Sequence, residues 1–151
     1  MKMLRSGIAA LPIAAAIAIA GANGAFAATS YGDMENCEFV NPDRLECFFL
    51  PMSASESLQI QYVSLECNSS ANFSLQQFEI GTVPASGSRI VPYYRIPAVN
   101  QASVGGVVTA GSPVTLYAKA GSQPVALIDL TPPPPQSTTQ CQVSLSGLRT
   151  P

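Results

Sequence analysis

Four cysteines and no histidine set the chemistry open to this 151-residue chain. Without histidine, neither a Ser-His-Asp nor a Cys-His arrangement can be built. Cys37, Cys47, Cys67 and Cys141 contain no Cys-x-x-Cys pair, which argues against a structural zinc site. An even number of cysteines in an exported chain reads instead as disulfides, and four cysteines allow three pairings. Cys37 and Cys47 bracket Asn41-Pro42-Asp43, a turn signal that folds the chain back and brings them together. Cys67 and Cys141 are then left for each other. Oxidised thiols also leave no cysteine nucleophile.

Carboxylates are the remaining catalytic candidates. Asp33, Glu35, Glu38, Asp43 and Glu46 crowd one short stretch. Two carboxylates about 5–9 Å apart can hydrolyse a glycosidic bond, and clustered oxygen ligands can hold calcium. The spacing matches no EF-hand loop, and the five acids read more simply as a solvated arm and hairpin. A different chemistry is open to Tyr93, Tyr94 and Arg95, which follow Pro92. Two rings and a guanidinium offer stacking faces and polar tips for a sugar or a peptide. Strand alternation works against this surface contact, because neighbouring tyrosines point to opposite faces. Asn68-Ser69-Ser70 and Asn72-Phe73-Ser74 fit the N-glycosylation pattern, which has meaning only in a eukaryotic secretory route. Gly105-Gly106 is a turn or bulge, with no strand–helix junction to make it a phosphate loop. The expectation is a protein that is not an enzyme and needs no cofactor.

The elements that must position these residues begin with a leader. Lys2 and Arg5 precede an apolar run from Ile8 to Ala20, and the small-residue triplet Ala25-Phe26-Ala27 follows. That order predicts a secretory signal peptide over 1–27, cleaved after Ala27. The apolar run is shorter than the roughly 20 residues a spanning helix needs, and Pro12 interrupts it. No stable membrane anchor is therefore expected after cleavage. The expected address is periplasmic or extracellular.

Removing the leader leaves 124 residues, enough for one core. Five basic residues then face nine acidic ones, a balance of −4. Nucleic acid is an unsuitable partner, because phosphate binding needs clustered Lys and Arg. Anionic lipid surfaces are disfavoured on the same ground.

The rest of the chain alternates at the period of strands. In 57–67, Leu58, Ile60 and Tyr62 alternate with glutamines; then the phase slips to Val63, Leu65 and Cys67. A slip of one residue predicts a bulge near Tyr62–Val63. Residues 72–80 repeat the pattern, with Phe73 and Leu75, then Phe78 and Ile80 in shifted phase. Pro92 makes 88–96 an edge or bent strand. Residues 103–109 and 113–120 read as two strands, and 124–130 as another. Cys141, Val143 and Leu145 share a face at the end of the chain. Since Val63, Leu65 and Cys67 also face inward, strand phase supports the Cys67–Cys141 pair. Pro132–Pro135 form a stiff connection outside any sheet interior. Eight or nine short strands with Gly and Pro turns predict an all-β fold, an antiparallel β-sandwich or jelly roll. Residues 28–35 are expected to be a flexible arm and 36–150 the single domain.

Three segments in order, LPMSASESLQIQYVSLECN, VTLYAKAGSQPV and CQVSLSGLRTP, resemble small exported bacterial proteins of undetermined function. The likeness covers most of 45–148. Met52-Ser53-Ala54-Ser55 stands where those proteins carry a glycine turn, and no aromatic separates Gly147 from Leu148. The resemblance implies a β-sandwich and transfers no active site. Function is therefore expected to be binding of a protein or glycan. Subunits of a pilus or surface assembly, and a small carboxylate hydrolase, are the alternatives.

Overall fold

The computed structural model describes residues 28–84, 93–97, 102–104 and 106–151. The expected leader, Pro92 with the start of the 88–96 strand, and Gly105 lie outside these residues. The described chain forms β1 (Thr29–Asn36), β2 (Glu38–Asn41), β3 (Arg44–Phe48), β4 (Ser57–Asn68) and β5 (Ser74–Val83). It continues with β6 (Tyr94–Arg95), β7 (Ala102–Val104), β8 (Val107–Ala118), β9 (Gln123–Thr131) and β10 (Gln140–Thr150). No α-helix occurs among the described residues. A first sheet runs β1-β10-β4-β8-β7 and a second β2-β3-β9-β5-β6. All pairings are antiparallel.

One apolar cluster takes side chains from both sheets, which is what the alternating pattern demands. The first sheet gives Leu58, Ile60, Val63, Leu65, Val108, Val143 and Leu145; the second gives Leu45, Phe78, Ile80, Ile128 and Leu130. Phe49 and Met52, in the loop after β3, close one end of it. That loop is fixed by backbone bonds from Phe49 N–H to Pro124 O (3.1 Å) and Met52 N–H to Ser122 O (2.8 Å).

The disulfides Cys37–Cys47 and Cys67–Cys141 are both formed. Cys67 and Cys141 face each other directly across β4 and β10, 4.0 Å apart at Cα. Cys37 is the single residue between β1 and β2, so the chain changes sheets there. Its sulfur bonds Cys47 in the second sheet. Its N–H donates to Cys141 O in the first sheet at 2.9 Å. The two staples therefore meet at one corner that joins the layers.

Several expectations need correction. Residues 29–36 are no arm: they form β1, paired along its whole length with β10. Tyr31 supplies the reason, since it is buried and its inward face gives the strand an apolar anchor. The bulge in β4 falls at Gln61, which has no partner on β10 between Tyr62↔Ser146 and Ile60↔Gly147. Tyr62 consequently faces outward and is 41% exposed. The second phase slip is real and sits at Gln76, between Leu75↔Leu130 and Gln77↔Asp129. Residues 107–118 make one continuous strand despite Pro113. Among the described residues β7 pairs only with Val107–Thr109, and none pairs with Pro113 on the side of β8 away from β4, so no donor is required of it there.

The bulge makes a specific demand on β10. A Cβ added at Gly147 would collide with the Gln59 carbonyl oxygen and lie 3.0 Å from Ile60 Cα. Backbone cannot yield as a side-chain tip can. Gly147→Ala is expected to lower stability by about 1–3 kcal/mol, the usual cost of overpacking. Urea unfolding of the two proteins measures it; equal midpoints would show that β10 can move away.

On its outer face the second sheet is charged. Arg44 on β3 donates to Asp129 on β9 from Nε (2.7 Å) and Nη2 (3.0 Å). This fork holds the guanidinium charged well beyond its ordinary range, the bond to Asp129 being the main cause. Its Arg44 side chain is 43% exposed, so the pair stabilises by no more than about 1 kcal/mol.

Candidate functional site

Two exposed tyrosines share the outer face of the first sheet. Tyr117 on β8 lies opposite Gln59 on β4 and is 66% exposed. Tyr62 is brought to the same face by the bulge at Gln61. A Cβ at Gly111 would lie 2.5 Å from the Tyr62 hydroxyl oxygen and 3.2 Å from its Cζ. Tyr62 pairs with Pro113, two residues further along β8, so its ring leans across the sheet onto Gly111 instead of standing out from it. Glycine at this position makes room for the ring.

Further along the same face stand polar side chains together with the exposed, apolar Met34. Met34–Ser144–Ser64 and Asn36–Gln142–Glu66–Thr109 form successive rows across β1, β10, β4 and, in the second row, β8. A concavity of about 160 Å³ is lined by Asn36, Glu66, Asn68, Gln140, Cys141 and Gln142. Asn68 Nδ2 donates to Glu66 Oε1 at 3.1 Å, which orients the carboxylate, and Gln142 Nε2 donates to Asn36 Oδ1 at 3.5 Å. Cys141, whose side chain turns inward to its disulfide, also borders this depression. Tyrosine, amide and hydroxyl side chains at one flat surface can stack on and hydrogen-bond to a polar ligand.

The tyrosines singled out in the sequence do not meet. β6 is an edge strand in which Tyr94 pairs with Ile80 and Arg95 with Glu79. Tyr94 therefore sits on the core side of the sheet, 50% exposed at its margin, while Ile96 enters the core. Tyr93 belongs to the other face. Burial pushes its phenol up, with further contributions from Glu46 and Glu79 and an opposing one from Arg44. Those groups flank Leu127 in the register, and Leu127 is buried on this outer face. Tyr93 is half-buried there. Arg95 Nη2 donates to Gln76 O at 3.5 Å and borders a concavity of about 310 Å³ with Leu75, Gln77, Phe78 and Ile96.

The acidic cluster is dispersed. Asp33 and Glu35 lie on the inner side of β1, opposite Leu145 and Val143. Glu38 and Glu46 oppose each other on the outer face of the second sheet. Asp43 lies in the β2–β3 turn, and its carbonyl accepts from Leu130 N–H at 2.8 Å. The two concavities hold no pair of carboxylates between them. Among the described residues no three Asp, Glu or Cys side chains converge as metal ligands. Asp33 has a structural task instead: it accepts from the Tyr31 hydroxyl (2.9 Å), Met34 N–H (3.0 Å) and Leu50 N–H (3.2 Å). Leu50 follows β3, so Asp33 is a second tie between the sheets.

Tyr31 is buried beneath this tie, and the Arg149 guanidinium lies 4.7 Å from its ring centre. Burial, then the bond to Asp33, raises its phenol above the ordinary value of about 10. A raised folded-state value means the neutral phenol is favoured by folding. That contribution is complete below about pH 10 and is lost as pH rises through the folded value. An alkaline absorbance titration of the parent minus that of Tyr31→Phe is expected to place the missing phenol above pH 10. A difference curve centred at the ordinary value would place Tyr31 in water.

The outward tyrosines escaped sequence reasoning because the bulge position decides which face Tyr62 takes. Tyr117 was visible by alternation, but only the register brings it beside β4. No protein-family model matches this chain, and no curated protein matches it.

Proposed function

We propose that this chain is an exported, non-enzymatic β-sandwich, jelly-roll-like in its two-sheet arrangement, that acts by binding a ligand outside the cytoplasm. The leader at 1–27 is removed on export, and the two disulfides form in the oxidising compartment that follows. The observation that carries the reading is the outer face of the first sheet, where Tyr62 and Tyr117 are exposed beside a depression lined by amides. Such a surface offers contact area and hydrogen bonds without a group placed for acid–base or nucleophilic chemistry.

A second reading rests on β1. It is the margin of the first sheet in an order that begins with it, and an eight-residue edge can template another strand. In that case the chain is a subunit that assembles edge to edge.

One preparation separates these. The full chain, made with its own leader in a bacterial host and recovered from the periplasm, is sized by light scattering and screened by thermal shift against glycans and peptides. A binding module is expected to begin at Ala28, remain monomeric and melt higher with at least one ligand. Concentration-dependent polymers would favour assembly, and retention of the leader would overturn export.

A further inference from the structure

We propose that the outer face of the first sheet binds a neutral polysaccharide strand, laid along β4 from the amide depression to the two tyrosines. This rests on the binding reading above and names its ligand class.

Shape comes first. From Glu66 to Gln59 the face runs along eight residues of β4, roughly 23 Å at the rise of a strand. It is a surface and not an enclosed pocket, which suits an extended polymer better than a single small molecule. The bulge at Gln61 and the glycine at 111 together lay the Tyr62 ring onto the sheet. Tyr117 stands on the neighbouring strand opposite Gln59. Two rings at one end can stack against the apolar faces of sugar rings.

Charge decides the polymer's class. Glu66 is the one acid on this face among the described residues of β1, β10, β4 and β8, and none of them places a lysine or arginine there. Lys119, exposed just past the end of β8 and two residues beyond Tyr117, adds one cation at that end. A lone lysine set against Glu66 is too little to hold an anionic polymer, and nucleic acid is disfavoured for the same reason. The polar groups present are amides, hydroxyls and one carboxylate, which donate to and accept from neutral hydroxyls, and the exposed Met34 adds an apolar contact beside them. A protein partner is the other candidate, but protein hot spots are desolvated pockets for aromatic or Arg anchors, and this face has only a shallow polar depression.

The test is affinity electrophoresis of the exported protein in gels containing hydroxyethylcellulose, galactomannan, dextran or alginate. At least one neutral polymer is expected to retard the protein, and alginate is not. Tyr62→Ala and Tyr117→Ala are each expected to weaken retardation roughly tenfold, at the upper end of what one ring contact supplies, and the double variant to abolish it. Both side chains are exposed, so the variants should melt like the parent. Gly111→Ala is a second route to the same end, since the new methyl lifts the Tyr62 ring tip without touching Tyr117. Retardation that survives in the double variant refutes the tyrosine platform and leaves the binding reading standing. Failure of every neutral polymer, or equal retardation by alginate, refutes the ligand class; a thermal shift with a peptide would then rescue binding alone.

Discussion

Serine at both Cys67 and Cys141 lowers stability by about 4.5 kcal/mol, the larger of the two disulfide effects. The loop it closes spans a sequence separation of 74, and closing a loop of that size removes conformational entropy from the unfolded chain in proportion to the logarithm of its length. The Cys37–Cys47 loop spans only 10 and is worth about 3 kcal/mol on the same basis. A native-state effect adds to the difference: the Cys37 N–H bond to Cys141 O makes the longer staple part of the corner between sheets. Paired urea denaturation of C67S/C141S and C37S/C47S measures both. The first variant is expected to have the lower midpoint, and to approach the unfolded state at room temperature if the parent is of ordinary stability. The reverse order would mean that unfolded-chain entropy is not the main term.

Leu65→Asp abolishes folding. Leu65 is 2% exposed and lies in register between Val143 on β10 and Ala110 on β8. No cation stands among the core residues around it. An ionised carboxylate there would meet a desolvation cost of several kcal/mol, and even protonated it would leave hydroxyl and carbonyl groups without partners. Loss of the leucine contacts adds about 2–5 kcal/mol. Circular dichroism is expected to show a disordered chain. Leu65→Val is the control; it keeps the apolar contact and should fold with a modest loss. A melting curve for Leu65→Asp that overlays the parent would put Leu65 in water and reverse the facing of β4.

Much of the fold was legible because apolar alternation marks β4, β5, β8 and β10, unbroken in the first half of β10 and on either side of single slips in β4 and β5. Val63, Leu65, Cys67, Cys141, Val143 and Leu145 all face the core, and the two cysteines face each other because they share that phase. What escaped was decided by single residues. A phase slip marks a bulge only to within a residue, and one residue is the difference between Tyr62 in the core and Tyr62 on the surface. β1 escaped because its inward positions are Tyr31, Asp33 and Glu35, a polar sequence whose burial depends on Asp33 bonding Tyr31 and Leu50 across the sheets. The break at Pro113 in β8 is not in the structure, because among the described residues β7 reaches only Val107–Thr109 and asks no hydrogen bond of Pro113. Tyr93 and Tyr94 attracted notice as neighbours, and alternation sends them to opposite faces.

The two disulfides and the corner they form at Cys37 underlie the stability order and the joining of the two sheets. Non-reducing peptide mapping of the purified protein, with cleavage between the cysteines and mass spectrometry of the linked fragments, examines it most directly. The expected fragments join Cys37 to Cys47 and Cys67 to Cys141, with no alkylatable thiol left. A Cys37–Cys67 linkage, or four free thiols, would contradict the corner and with it the register of β4 against β10.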